Sequence, residues 1–309
     1  MTRNFELLSP DWSDYQLLDS GNSKKFERFG EVSLIRPEPQ AKWSPALSTA
    51  RWEAADAEFT KTHTGHQGQW KFRRSLPPRW EMQRHDLKFW VQPSPSGHVG
   101  VFPDQACHWD WIAEMTRRAS APLKVLSLFG HTGLATLAAS AAGAQVTHVD
   151  ASRKAVAWAR ENQVLSRLSE RPIRWIVEDA LTFVRREARR SNRYDAIILD
   201  PPRFGRGPDG QLWKLDVSLP ELLAKCASIL SPSPAFVLLN VYVTVLSQGR
   251  SEKEAESLRS YLLELLEPFP MTMTAGQLTI QDAAARRIHS SIFAKAQCNV
   301  YRPSSDPHR

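Results

Sequence analysis

The chain has 309 residues, 42% hydrophobic and 24% charged, which suits one large globular domain or two smaller ones. No run of about 18 apolar residues is present, so a membrane-spanning helix is not expected. A net charge of +7 favours an anionic partner such as nucleic acid without proving one.

The first residues, MTRNFELLSPDW, lack the apolar core of a secretion signal. Cys107, Cys226 and Cys298 are scattered, with no metal or disulfide spacing. A reduced, cytoplasmic setting is therefore expected, with no metal site. Eight of the eleven tryptophans precede residue 112. Short mixed runs such as YQLLDSG, FGEVSLIRP and LKFWVQPS alternate with turn residues there, which predicts β-hairpins. The expectation is a β-rich module over residues 1–95 whose tryptophans form its core rather than a base-stacking surface.

A second domain is expected over residues 96–309. From about residue 122, strands and helices alternate. LKVLSLF is a strand between Pro122 and Gly130, and GLATLAASAAG is a helix closed by Gly143. QVTHVD is a strand, followed by a long helix that Ser152 can cap. IRWIVED, YDAIILD and AFVLLNVYV are further strands, separated by helices over ALTFVRREARR and LPELLAKCASIL. SEKEAESLRSYLLELLE is an amphipathic helix before two final strands without a helix between them. The pattern predicts an α/β Rossmann-like, doubly wound, seven-stranded mixed sheet with an antiparallel last strand. The most apolar strands, 196–199 and 236–239, should lie in its middle.

In such a sheet, ligands sit beyond the carboxyl ends of the strands. The first strand ends on FGHTG, with Gly130, Thr132 and Gly133; the second ends on Asp150, the third on Asp179, and the fourth on Asp200-Pro201-Pro202. Asp150 suits the two hydroxyls of a ribose, and Asp179 suits an adenine amino group. Both positions also suit helix N-capping. A nicotinamide site is disfavoured because FGHTG lacks the GxGxxG spacing. Taken together, the four strand ends suit an adenosine ligand that carries a sulfonium rather than a phosphate.

VLSLFGHTG, VDAS, VEDA and ILDPPRFGRG resemble the motifs of class I S-adenosylmethionine-dependent methyltransferases, and within them the group of the large-subunit rRNA cytosine-C5 methyltransferase. GVFPDQACHWDWI resembles the family's loop that closes over the cofactor. The resemblance spans roughly residues 85–298 and shows no PUA domain. It implies that S-adenosylmethionine is held by Asp104, Gln105, Phe129, Gly130, His131, Thr132, Gly133, Asp150, Ala151, Ser152, Asp179, Ala180 and Asp200. It implies further that Asp200, Pro201, Pro202, Phe204 and Asn240 serve the reaction. The Pro-Pro turn offers carbonyl acceptors, Phe204 can stack on an extruded base, and Arg203 or Arg206 can meet a phosphate.

Cytosine-C5 chemistry needs a thiolate. LLNVYVTVLS, where the characterised enzyme carries its cysteine, has none, and Arg203 follows Asp-Pro-Pro. Transfer to an amino or ring nitrogen is the better expectation, with Cys226 as packing and Cys107 as the one thiol near the cofactor loop. Two basic clusters, RREARRSNR (185–193) and WKFRRSLPPRW (70–80), support an RNA substrate, most naturally ribosomal RNA, unless they are simply solvated faces. The alternatives are a methyltransferase acting on a protein or small molecule, or a non-catalytic RNA-binding protein. The sequence leaves monomer and homodimer open.

Overall fold

The computed structural model describes residues 6–61, 68–242 and 250–298, with the backbone alone for 250–255. The chain opens with β1 (Glu6–Leu8), β2 (Tyr15–Gly21), β3 (Lys24–Phe29), β4 (Val32–Pro37), α1 (Thr49–Glu53), β5 (Ala57–Lys61) and β6 (Gly68–Phe72). β2 to β6 lie in sequence order as one five-stranded sheet, and β7 (Trp80–Arg84) and β8 (Leu87–Val91) form a separate hairpin. The hairpin-rich expectation for the first third therefore matches the described residues. None of the eight early tryptophans is exposed, in keeping with a packing role.

A short 3-10 turn (Pro103–Gln105) then leads into α2 (Ala106–Arg117). There follow β9 (Lys124–Leu128), α3 (Leu134–Ala141), β10 (Gln145–Asp150), α4 (Arg153–Leu165), β11 (Ile173–Val177), α5 (Ala180–Arg189) and β12 (Ala196–Leu199). A hairpin of β13 (Phe204–Arg206) and β14 (Leu212–Lys214) precedes α6 (Leu215–Ser228) and β15 (Phe236–Val241). α7 (Arg250–Leu266), β16 (Met271–Gln281) and β17 (Arg287–Cys298) complete the described chain.

The main sheet runs β1-β16-β17-β15-β12-β9-β10-β11, with β17 antiparallel to both neighbours. Its seven expected strands are present, and β1 adds an eighth at the edge by pairing parallel to β16. β12 and β15 are buried along their whole length, which explains the apolar runs 196–199 and 236–239; Asn240 is the polar exception.

Side chains along a strand alternate between faces. Leu126, Leu128, Ile197, Leu199, Val237 and Leu239 enter the core covered by α5, α6 and α7. Val125, Ala196, Ile198, Phe236 and Leu238 enter the opposite core, together with Ile112 of α2 and Ala139 of α3. The same alternation carries Ser127, Asp200 and Asn240 to the α2/α3 face. A third core joins Tyr15, Phe29, Leu34, Met82 and Phe89 to Trp109, Leu134 and Ala138, so packing crosses residue 95 without interruption.

Candidate active site

A cavity of about 550 Å³, counting its open mouth, lies on the α2/α3 face at the carboxyl ends of β9, β12 and β15. Of the residues singled out from the sequence, Gln105, Phe129, Gly130, His131, Thr132, Gly133, Asp200 and Asn240 line it. Asp104, Asp150, Ala151, Ser152, Asp179, Ala180, Pro201, Pro202 and Phe204 are not part of this lining.

The glycine loop is held low over the sheet. A Cβ on Gly130 would clash with the buried ring of His148, which is fixed by Thr136 at 2.9 Å and by the Trp175 ring at 4.7 Å. Gly133 has φ +90°, a left-handed conformation that favours glycine, and starts α3. Phe129 and His131 also have positive φ, at 56° and 47°, so the loop is tightly wound through three of its members. The Thr132 hydroxyl donates to the Gly100 carbonyl at 2.5 Å. Asn162 of α4, fully buried, donates to the Thr132 carbonyl and accepts from the Trp90 N–H, which joins the loop to β8.

Asp150 stands beside this loop. One of its carboxylate oxygens accepts the His131 N–H at 2.9 Å and the other accepts the Ser152 N–H at 2.8 Å. Ser152 caps α4 by accepting from Ala155 at 3.2 Å, and Ala151 is half-buried. Asp179 caps α5: its Oδ1 accepts from both the N–H and the hydroxyl of Thr182, each at 2.8 Å. The capping role considered for Asp179 is thus realised, while at α4 Ser152 takes it in place of Asp150. Ala180 is the first residue of α5 and packs in the core.

Asp200 ends β12 and accepts from the Asn240 amide at 2.7 Å, and Asn240 in turn accepts from the Ser291 hydroxyl at 2.7 Å. Burial pushes the Asp200 carboxyl up to about 7; the Asn240 bond opposes this and the charge of Asp104 adds to it. Asp104 is itself raised, chiefly by burial. Pro201 is buried and Pro202 exposed. The expected ring of carbonyl acceptors is reduced, because the Pro202 carbonyl accepts the Trp213 indole N–H at 2.6 Å. Phe204 does not reach the cavity; it is 56% exposed on the β13–β14 hairpin, alongside exposed Arg203, Arg206 and Lys214. A stretch running Asp-Pro-Pro-Arg-Phe gives no hint that its aromatic belongs to a projecting hairpin.

Sequence reasoning missed Ser127, His108 and Gly100, all of which line the cavity. Ser127 carried a signal, as one polar residue inside an apolar strand. The Cys107 thiol is pushed by burial up to about 12, and Cys226 sits in the core with its thiol raised for the same reason. The segment expected to carry a cysteine in relatives continues into residues 243–249, outside the described residues.

The basic clusters are heavily paired. Arg73 meets Glu58, Arg74 meets Asp56, and Arg79 meets Glu161. Arg185 meets Glu221, Arg186 meets Glu178, and Arg190 meets the buried Glu187. Among the described residues, no group of His, Cys, Asp and Glu could hold a metal ion, and no helix is long and apolar enough to cross a membrane.

Comparison with known proteins gives a matching picture. Residues 108–208 match the family model described as "Conserved hypothetical protein 95". The Ribosomal RNA large subunit methyltransferase K/L of Hahella chejuensis is 33% identical over 149 residues, 47% of this chain and 20% of that protein. The match therefore spans about a fifth of that curated relative's length. A structure from Streptococcus mutans, 15% identical with TM-score 0.68 over 91% of this chain and 74% of that one, shares the fold. The crystal structure of a SAM-dependent methyltransferase from Agrobacterium tumefaciens is 40% identical, with TM-score 0.89, over 96% of this chain and 94% of that one. Identity of that degree along nearly the whole of both chains means that this chain belongs to the S-adenosylmethionine-dependent methyltransferases.

Proposed function

We propose that this chain methylates a nitrogen of a base in RNA, with ribosomal RNA as the substrate class. The observation that carries this reading is the Asp200–Asn240 pair lining the cavity, with buried Ser291 bonded to Asn240 behind it, next to the exposed basic and aromatic β13–β14 hairpin. The RNA named by the Hahella relative supports the substrate class.

The residues fit the cofactor. The low glycine loop leaves the end of β9 open to a ligand, and an apolar wall of Leu128, Phe129, Leu134 and Leu199 suits an adenosyl group. Each Asp150 oxygen has a second lone pair for a ribose hydroxyl. Asp179 Oδ2 suits an adenine amino group, since Oδ1 is committed to the α5 cap. When bound, the cofactor supplies a methyl group activated by a sulfonium. The protein's task is then positioning and proton handling. Ionised Asp200 accepts an N–H of the substrate base and can take its proton, and a pKa near neutrality suits that role. The raised Cys107 thiol supports nitrogen over a carbon attack that needs a thiolate.

A protein or small-molecule substrate is the second reading, favoured by the ion pairing of both basic clusters. Methyl-labelled cofactor, offered with ribosomal RNA or with protein extract, separates the two. Label in digested RNA nucleosides is expected; label in protein alone overturns the proposal.

A further inference from the structure

His108 lies in the first turn of α2 and is 1% exposed, yet it lines the cavity. Neither ring nitrogen has a hydrogen-bond partner among the described residues. Buried polar atoms are nearly always satisfied, so an imidazole with both nitrogens unmet at the wall of a ligand cavity points to the ligand. Its plane is fixed from the sheet side. Phe293 pairs with Asn240 across β15 and β17, and its ring meets the imidazole edge-on at 5.1 Å.

We propose that His108 grips the amino-acid end of the cofactor by donating a ring N–H to its carboxylate. The inference rests on the reading that S-adenosylmethionine occupies this cavity. The cofactor's methionine end brings one ammonium and one carboxylate. The carboxylate needs donors, and several polar groups at the wall are already committed. The Asn240 amide donates to Asp200, and the Thr132 hydroxyl donates to Gly100. Among the described residues that line the cavity, His108 is the one whose buried side-chain polar atoms all lack a partner.

Electrostatics agree. Burial first, and then the charge of Lys295, push the His108 pKa down to about 3. The ring therefore stays neutral, with one donor and one acceptor, and is a poor general base. The same Lys295 charge favours an anion beside the ring. Hydrogen bonding rather than proton transfer is the role this setting allows.

The test uses calorimetry on the full chain with two probes, S-adenosylhomocysteine and methylthioadenosine, which lacks the amino-acid end. His108→Phe is expected to weaken S-adenosylhomocysteine by about tenfold to a hundredfold, with methylthioadenosine changed less than about threefold. His108→Gln, which keeps a donor, should recover part of the loss. Equal losses for both probes, or none for either, overturn the assignment. Should the Phe variant fail to fold, the ring-nitrogen NMR signals of His108 in the wild-type chain decide. They should move with S-adenosylhomocysteine and stay with methylthioadenosine; movement with both, or with neither, refutes it. A wild-type chain that binds neither probe would instead sink the proposed function, and this inference with it.

Discussion

Asn240→Ala removes the amide that meets the buried Asp200 carboxylate at 2.7 Å. A hydrogen bond to a charged group is worth roughly 1.5–3 kcal/mol, and one pKa unit is about 1.4 kcal/mol. Losing the bond should therefore raise the Asp200 pKa by about 1–2 units, from about 7 to roughly 8–9. At pH 7 the ionised fraction would fall from about half to between about a tenth and a hundredth. The assay is a carboxyl-carbon NMR titration of the wild-type and variant chains, with Asp200→Asn to assign the signal. It needs no substrate, so it tests the electrostatics apart from the reaction. A midpoint that stays near its wild-type value, or moves down, would refute the argument that Asn240 holds the carboxylate in its charged form.

Asp200 also links pH to stability. Its folded pKa is raised from 3.8, so the native state holds this proton more tightly than the unfolded chain. Its contribution is present below about pH 4 and lost as pH rises toward about 7. Denaturant melts of Asp200→Asn should lack that part of the wild-type decline, and an identical decline in both would contradict it. Gly130→Ala would drive a methyl group into the His148 ring, at a cost of about 3 kcal/mol. A thermal melt should show Tm lower by about 3–5 °C, and an unchanged Tm would mean that the loop can lift. Cys107→Ala should leave methyl transfer intact, since the buried thiol stays protonated. Loss of transfer in a folded variant would revive a covalent route. RNA affinity should fall as salt rises, with a shallower slope after Arg203→Ala and Arg206→Ala; a slope that the pair of changes leaves untouched would place the RNA elsewhere.

The sheet was legible because its strands announce their burial. Residues 196–199 and 236–239 are unbroken apolar runs, and α4 and α5 carry their own capping residues, Ser152 and Asp179. The candidate site residues followed from that order and from the motifs, and eight of them line one cavity. What could not be read depends on partners distant in sequence. The arginine clusters looked like a charged footprint because Glu161, Glu178 and Glu221 gave no sign of facing them. β1 spans three residues, too short for any periodicity, and is defined only by its pairing with β16. His108 reads as one more residue of an amphipathic helix until its neighbours show that both nitrogens are unmet.

Asn162 touches β8 with one end of its amide and the glycine loop with the other. A single short side chain thus works as a rigid strut between the front third of the molecule and the turn beneath the ligand. Tilting the leading hairpins would drag that turn along. A shorter side chain at this place would leave the turn and β8 without that tie.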